Sequence, residues 1–249
     1  MKNFQIIANF KMNGSFDMIS SWLDEVSLMP EDLQSRCILC PPMCFLKSTS
    51  NILYKRKLGI NLGAQNVDAD SDESLTGGVS AEMLLDAGCQ YALIGHSERR
   101  EKVGEKNEEL SKKVASALKV GLKVIFCIGE SKDEKLESKT FNVLESQLSF
   151  LEPFKIKDLK SSLLIAYEPI WAIGSGDTAD PLIISETHNF IKNTLLKILD
   201  TNSVPILYGG SVLQDNAKSL SELKEVDGLL VGGASINPKE FINIVTKSQ

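Results

Sequence analysis

The sequence predicts an α/β protein, a closed (β/α)8 barrel of eight parallel strands in a single domain over residues 1–249. Short apolar segments alternate with longer segments whose apolar residues fall at helical spacing, which indicates strands joined by crossover helices. Eight such units recur about every 30 residues, and barrels of about 250 residues are common. An open, doubly wound sheet is the alternative that this pattern leaves.

The strand candidates are nearly continuous apolar runs, as expected for strands that are covered on both faces. They are FQIIANF (4–10), RCILCP (36–41), GINLGAQ (59–65), YALIGH (91–96), KVIFCIG (123–129), LLIAYEP (163–169), VPILYGG (204–210) and GLLVGG (228–233).

Helical spacing of apolar residues predicts helices between these strands, with four clear segments at 19–29, 107–121, 185–199 and 237–245. Gly121 supplies a stop signal for the second of these helices. Asn237 is suited to cap the last helix, and Pro238 fits its first position.

Composition excludes several functional classes. The 27 Lys and Arg against 33 Asp and Glu give a net charge of −6, which disfavours binding to nucleic acid or to an anionic membrane. No apolar run approaches the ~18 residues of a membrane span, and the N-terminal segment is typical of a first strand rather than a signal peptide. Five cysteines do not suggest a disulfide framework, so a reducing cytoplasm is expected.

The sequence also predicts no metal site. Cys37, Cys40 and Cys44 lie close together, but His96 and His188 are the only histidines available to complete a zinc site. Buried structural thiols are the simpler interpretation of the cysteines in this apolar segment.

Polar residues collect at the predicted C-terminal strand ends, where a barrel places its chemistry. Asn9 and Lys11 follow the first strand, His96 the fourth and Glu168 the sixth. Lys11 suits the attraction of an anionic substrate and the stabilisation of an oxyanion. Each residue also has a simpler interpretation: a rim lysine, a hydrogen-bonded histidine and a salt-bridged glutamate.

The segment after Glu168 has the composition of a lid. Pro169 makes its start stiff, Trp171 and Ile173 are apolar, and a Gly-Ser-Gly sequence (174–176) follows. Closure of such a segment would expel water from the Glu168 carboxylate and make it a stronger base. His96 precedes a possible helical turn, whose dipole favours a neutral imidazole that can polarise a carbonyl.

Glycine-rich turns after the last two strands predict a phosphate site. Gly209, Gly210 and Ser211 follow the seventh strand, and Gly232 and Gly233 follow the eighth. Backbone N–H groups bind phosphate at this position in many barrels. Together with a base and a lysine, this predicts proton abstraction next to a carbonyl on a small phosphorylated sugar, without a cofactor, since no nucleotide fingerprint is present.

At this point the sequence resembles the triosephosphate isomerase family over essentially its whole length. The motifs that carry the resemblance, in the family's order, are ANFKMNG (8–14), GAQN (63–66), LTGGVS (75–80), IGHSERR (94–100), CIGE (127–130), AYEPIWAIGSG (166–176), YGGSV (208–212) and DGLLVGGASI (227–236).

The resemblance implies a TIM barrel that interconverts dihydroxyacetone phosphate and glyceraldehyde 3-phosphate in glycolysis and gluconeogenesis, with no metal or cofactor. It makes Glu168 the proton-transferring base, His96 the electrophile, and Lys11 with Asn9 the groups that stabilise substrate charge. The phosphate ligands it implies are Gly174, Ser211, Gly232 and Gly233. The lid and its supports would be Pro169, Trp171, Ile173, Ser97, Glu130, Tyr208 and Leu230.

The resemblance further implies a homodimer in which loop 66–80 inserts beside the partner's active site through Thr76. Several residues depart from the family pattern: Phe10 replaces Trp, Leu75 replaces Phe, Gly78 replaces Glu, Ser175 replaces Thr and Asp177 replaces Lys. Gly78 removes a charge from the dimer loop, and Asp177 alters the lid hinge. The competing interpretations are another phosphosugar barrel enzyme, such as an epimerase, and a catalytically weakened phosphate-binding barrel with a non-enzymatic role.

Overall fold

The structure is a computed structural model, and it describes residues 4–69, 75–154, 162–173, 178–201 and 203–248. Eight parallel strands pair in sequence order, and the eighth pairs with the first, with Ala8 opposite Val231. The predicted closed (β/α)8 barrel is therefore confirmed, and the open sheet is rejected.

All eight predicted strands are present, and each is shorter than its apolar run. Their bounds are β1 Gln5–Asn9, β2 Cys37–Cys40, β3 Asn61–Ala64, β4 Tyr91–Ile94, β5 Lys123–Ile128, β6 Leu163–Tyr167, β7 Ile206–Tyr208 and β8 Gly228–Val231. The predicted residues beyond the C-terminal strand ends, such as His96 and Glu168, belong to the loops of the barrel mouth.

Ten α-helices lie in the described part of the chain. They are α1 Phe16–Val26, α2 Glu31–Gln34, α3 Leu46–Arg56, α4 Ala81–Ala87, α5 Asn107–Lys119, α6 Lys132–Leu136, α7 Thr140–Ser149, α8 Pro181–Leu199, α9 Ala217–Ser221 and α10 Pro238–Lys247. None of the described helices combines the length and apolar character that crossing a membrane requires.

Capping explains where the helices differ from the predicted bounds. Helix α1 begins three residues before the predicted start because the Ser15 hydroxyl accepts from the Met18 N–H. Helix α8 begins four residues early because Asp180 accepts from the Leu182 N–H and Pro181 stands at the first position. The cap predicted at Asn237 is confirmed, since its side chain accepts from two backbone N–H groups of α10.

The core has two layers, because successive strand residues point to opposite faces. One layer lies between the strands and the helices, where Trp22 packs against Phe10 and Phe241. The other fills the barrel interior below the mouth and includes Ile7, Cys127 and other buried side chains. The packed interior directs any ligand to the mouth of the barrel.

Candidate active site

A cavity of about 260 Å³ opens at the C-terminal ends of the strands. It is lined by Asn9, Lys11, His96, Glu168, Ile173, Leu230 and the residues of the turns that follow β7 and β8. The structure thus brings together residues from the first, fourth, sixth, seventh and eighth strands, as the sequence predicts for the site of this barrel.

Glu168 directly follows strand β6 and is 2% exposed. Its backbone N–H donates to the Ile128 carbonyl at 2.7 Å, which anchors it to the neighbouring strand β5. One carboxylate oxygen, Oε1, lies 3.0 Å from Nε2 of His96, and the other accepts from the Ser97 N–H at 3.0 Å. Both oxygens are therefore engaged with the His96–Ser97 turn in this conformation.

His96 is nearly buried just past strand β4, at the start of a helical turn that continues as a π-helical segment, Arg99–Val103. Its Nδ1 accepts from the Glu98 N–H at 3.2 Å, so the proton of the neutral ring belongs on Nε2. An Nε2–H group points at Glu168 and toward the cavity. This is the arrangement that an electrophilic neutral histidine needs.

Opposing influences set the charge of this pair. Burial alone raises the pKa of Glu168, but the His96 ring, the Ser97 N–H and Lys11 outweigh it, so that the pKa is lowered. Burial alone lowers the pKa of His96, but the Glu168 carboxylate raises it above its usual value. Glu168 is thus ionised and ready to accept a proton, while His96 is sensitive to where that carboxylate lies.

Lys11 has a backbone φ of +50°, a left-handed conformation that costs a non-glycine residue about 1 kcal/mol or more. Two contacts hold it there: its N–H donates to Asn9 Oδ1 at 3.0 Å, and its carbonyl accepts from Gln65 Nε2 at 2.8 Å. The Lys11 ammonium pairs with Glu98 at 3.1 Å. These contacts fix the cation at the rim of the cavity.

The turns after β7 and β8 also line the cavity. Ser211 is nearly buried, and its carbonyl accepts from Asn216 Nδ2 at 3.0 Å, which shapes the turn. Gly232 passes so close to Lys11 that a Cβ there would lie 3.3 Å from its Cε. Gly233 opens a short 3-10 turn, whose first N–H groups have no partner within the turn. Gly174 lies outside the described residues, as do Ser175 and Asp177.

The start of the predicted lid is held by buried polar contacts. Glu130 Oε1 accepts from Trp171 Nε1 at 2.8 Å and from the Tyr167 hydroxyl at 3.1 Å. Burial raises the pKa of Glu130 against these hydrogen bonds. The Lys135 ammonium lies 2.9 Å from the centroid of the Trp171 ring. Glu130 therefore holds Trp171 at the start of this segment.

Tyr208 and Pro169 connect the two flanks of this segment to the barrel. The Tyr208 hydroxyl accepts from the Ala179 N–H at 3.3 Å, beyond the lid in sequence. Pro169 precedes a 3-10 turn, Ile170–Ala172, and the ring of Pro169 lies beside Gly210. The described residues on both sides of the predicted lid are thus attached to the barrel.

The predicted dimer loop lines a second cavity, of about 880 Å³, beside the first. Thr76 and Gly78 face this groove together with Asn9, Lys11 and His96 of the same chain. Residues 70–74 of the loop lie outside the described part of the chain.

Sequence reasoning missed several residues that support the site. Gln65 binds both the Lys11 and the Cys40 carbonyls, and Asn216 joins the β7 turn to Thr178 with a 2.7 Å hydrogen bond. Gln65 stands in the GAQN motif, where its polarity at a strand end was a usable signal. Nothing in the pattern around Asn216 distinguishes it from a surface residue.

The arrangement suits acid–base chemistry on a small anion. A buried carboxylate, an imidazole N–H and an ammonium group face one cavity, which is also lined by glycine turns. The described residues contain no group of three or more His, Cys, Asp or Glu side chains placed to hold a metal ion.

Comparison with known proteins agrees with this chemistry. The family model described as Triosephosphate isomerase matches residues 4–248. Similar proteins include the triosephosphate isomerases of Geotalea uraniireducens, 44% identical over 85% of each chain, and Taenia solium, 40% identical over 95% of each chain. The triosephosphate isomerase of Aquifex aeolicus is 39% identical over 96% of this chain and 97% of its own.

Proposed function

This chain belongs to the triosephosphate isomerase family, and we propose that Glu168 is the base in its reaction, the glycolytic interconversion of dihydroxyacetone phosphate and glyceraldehyde 3-phosphate. The observation that supports this assignment best is the 3.0 Å contact between Glu168 and His96 inside a cavity walled by glycine turns. No other described carboxylate in that cavity's lining competes for the role.

In the proposed reaction, the Glu168 carboxylate takes a proton from C1 of dihydroxyacetone phosphate, and the electron pair left on C1 forms an enediolate with the C2 carbonyl. The Nε2–H of His96 and the Lys11 ammonium stabilise the oxygen that becomes negative, and Asn9 orients Lys11. His96 then moves a proton between the two oxygens, and protonated Glu168 returns its proton to C2 to give the aldehyde.

Movement of the Glu168 carboxylate away from His96 links the role of Glu168 as base to the role of His96 as electrophile. The carboxylate is what raises the pKa of His96, so its movement toward a substrate carbon removes that influence. The ring then remains neutral, with Nδ1 held by the Glu98 N–H and Nε2–H free to donate to a carbonyl. The Ser97 N–H holds the carboxylate in its resting place until then.

The phosphate group is proposed to lie at the wall formed by the turns after β7 and β8, on the backbone N–H groups of Gly232 and Gly233 and at Ser211. Gly174 is proposed as a further ligand from the resemblance to the family. Binding the phosphate at this wall leaves C1 and C2 near Glu168 and His96.

A closing lid completes the proposal. Ile173 and Leu230 already line the cavity with Glu168, so closure would place apolar side chains over the carboxylate and expel water. The Trp171–Glu130 and Tyr208–Ala179 hydrogen bonds support the two ends of the lid. A closed lid also retains the enediolate, which in water would lose phosphate.

We further propose that the chain forms a homodimer through the groove beside loop 66–80. The groove carries exposed apolar side chains, with Met12 96%, Leu75 70% and Val103 63% exposed. Apolar side chains this exposed around a cavity are typical of a surface that another chain covers. A second copy would then place its Thr76 near Asn9 and His96.

The acidic net charge supports a small-molecule substrate rather than nucleic acid or a membrane as partner. The five cysteines are free, and four of them are buried, which supports a reducing compartment, the cytoplasm. We also propose that the chain is a single domain, since the barrel strands and helices run from Gln5 to Lys247.

Isomerisation in deuterium oxide tests the proton transfer. A proton held on the Glu168 carboxylate exchanges with solvent, so glyceraldehyde 3-phosphate formed from dihydroxyacetone phosphate should carry deuterium at C2. Product without deuterium would contradict transfer through an exchangeable carboxylate. Absence of any product would favour the alternative, a phosphate-binding barrel with a non-enzymatic role.

A further inference from the structure

Arg100 carries a charged side chain into the space behind the catalytic pair. It is half-buried, and its guanidinium donates three hydrogen bonds to groups on three separate segments: Gly95 O at 2.8 Å, Asn107 Oδ1 at 2.9 Å and Cys127 O at 3.1 Å. Its neighbour Arg99 instead pairs with the Glu105 carboxylate at 2.6 Å. No carboxylate in the described chain forms an ion pair with Arg100 within 4.0 Å, so backbone and amide oxygens satisfy it.

The contacts of Arg100 enclose the turn that carries His96. Its side chain binds the carbonyl of Gly95, the residue before His96, and its backbone N–H donates to the His96 carbonyl at 3.2 Å. Gly95 has a φ of +74°, and a Cβ there would lie 3.1 Å from Nη2 of Arg100. The turn therefore requires glycine, and Arg100 fills the space that the missing side chain leaves.

The third contact ties this turn to the strand beside Glu168. Cys127 is part of strand β5, and the next residue, Ile128, accepts the backbone N–H of Glu168 at 2.7 Å. The guanidinium also lies over the Phe126 ring, 5.4 Å from its centroid. One side chain thus connects the turn that carries His96 with the strand end on which Glu168 is anchored.

We propose that Arg100 is a positioning residue for the isomerisation: its guanidinium fixes the His96 turn against strand β5 and so sets the distance between His96 and Glu168. The planar fork is essential, since the single nitrogen of a lysine cannot bind three acceptors on three segments in these directions. This inference rests on the proposed roles of His96 and Glu168, and it assigns Arg100 no contact with substrate.

The charges around the pair bear on the choice of readout. Glu168 is faced by His96 and Lys11, and the Cys127 thiol lies beside it. Burial lowers the pKa of Arg100, and the negative charge of Glu168 partly restores it. Arg100 also places a positive charge near Glu168, so its variants change both the position of the His96 turn and the local charge. Arg100→Lys keeps the charge, so its effect reports the loss of the guanidinium geometry.

The test compares Arg100→Lys with wild type and with Lys112→Gln, a matched control that changes an exposed charge on the outer side of α5. We expect Arg100→Lys to lower kcat on the order of 10- to 100-fold, as for other misplacements of about 1 Å, with KM changed less than about threefold because the phosphate wall is untouched. Lys112→Gln should keep wild-type kcat.

The second readout is the nitrogen NMR spectrum of the two histidines, His96 and His188. In Arg100→Lys the ring signals of His96 should shift, while those of His188 stay in place. Wild-type kcat together with unmoved His96 signals in Arg100→Lys would overturn the proposal, and so would a kcat loss with no change at His96.

Asn107→Ala keeps the proposal falsifiable if Arg100→Lys does not fold, because it removes one acceptor and leaves Arg100 in place. It should shift the His96 signals in the same direction with a smaller kcat loss, and unmoved signals would overturn the proposal. If the wild-type chain itself lacks isomerase activity, the proposed function fails, and the NMR comparison still decides whether Arg100 positions His96.

Discussion

The side chains of His96 and Glu168 are hydrogen-bonded to each other at the barrel mouth, with 3.0 Å between Nε2 and Oε1. Glu168 is 2% exposed, and its other oxygen is held by the Ser97 N–H at 3.0 Å. In this conformation the proposed base is bound to the proposed electrophile rather than directed at a substrate carbon. The proposed reaction therefore requires the carboxylate to leave His96, and the proposed closure of the segment that follows Glu168 in sequence would accompany that movement.

Shortening the base should separate chemistry from binding. Glu168→Asp keeps the charge but withdraws the carboxylate by one methylene, on the order of 1 Å, so we expect kcat to fall 100-fold or more. Affinity for a phosphate-containing substrate analogue should change little, because the turns after β7 and β8 are untouched. Coupled kinetics and calorimetric binding measure the two quantities, and unchanged turnover would reject Glu168 as the base.

The effect of replacing Glu130 should depend on which of its carboxylate oxygens accepts hydrogen bonds. Both hydrogen bonds, from Trp171 and from Tyr167, converge on Oε1, while Oε2 is buried with no partner among the described residues. Glu130→Gln keeps that acceptor, so the free energy of unfolding should change by less than about 1 kcal/mol and kcat should stay near wild type.

Glu130→Leu is the matched variant, since it leaves two donors unpaired and frees the start of the lid. Its free energy of unfolding should fall by about 2 kcal/mol or more, and kcat should fall with it. Urea unfolding and coupled kinetics test both variants, and equal behaviour of the Gln and Leu variants would show that the Oε1 contacts do not support the lid.

Gly78, in the proposed dimer loop, stands where the resembled family usually has Glu, and restoring that charge tests its role. Gly78→Glu should tighten the proposed dimer if an interface charge pair was lost, measured as a lower dissociation constant on dilution. Gly78 has no left-handed φ, but a Cβ there would lie 3.1 Å from Leu75 O and 3.3 Å from Asp68 Oδ2. Gly78→Ala controls for that contact, and equal dissociation of both variants would exclude a role for the charge.

His188 should make folding sensitive to acid. It is fully buried in α8, its Nδ1 lies 3.1 Å from the Glu225 carbonyl, and burial lowers its pKa to about 4. In the unfolded chain the pKa of His188 is near 6.5. Between about pH 6.5 and pH 4 the unfolded chain therefore binds more protons at this residue than the folded chain, and the free energy of unfolding decreases as the pH falls through that range.

Between pH 7.5 and pH 5 this residue should account for a loss of about 2 kcal/mol in the free energy of unfolding. The measurement is urea unfolding at both pH values for wild type and His188→Asn. Because all other groups are shared, the difference between the two pH dependences belongs to His188. Identical pH dependences would contradict the assignment.

Periodicity predicted the strands because both faces of each are covered and each therefore reads as an apolar run. It could not place the C-terminal strand ends, since Glu168 and Gly209 still donate a backbone hydrogen bond to the neighbouring strand but already begin the loops of the barrel mouth. Short helices such as α6 were not predicted for a different reason, because five residues do not establish a helical period.

The sequence allowed the individual residues of the candidate site to be predicted, but not the contacts between them. Motifs and strand ends identified Glu168, His96 and Lys11, whereas the left-handed Lys11 backbone and the Glu98 pairing depend on distant segments that sequence order does not bring together. Arg100 is the last residue of the IGHSERR motif, but its role could not be predicted, because a second arginine beside Arg99 has the pattern of a solvated turn. Only the packing shows that it enters the barrel wall.

The most direct measurement is the conversion of glyceraldehyde 3-phosphate by the purified chain, coupled to a dehydrogenase that consumes dihydroxyacetone phosphate, over a dilution series. We predict turnover, with a rate per chain that falls on dilution only where the proposed dimer dissociates. Absence of turnover at every concentration would contradict the assignment of Glu168, His96 and Lys11 as a working isomerase site.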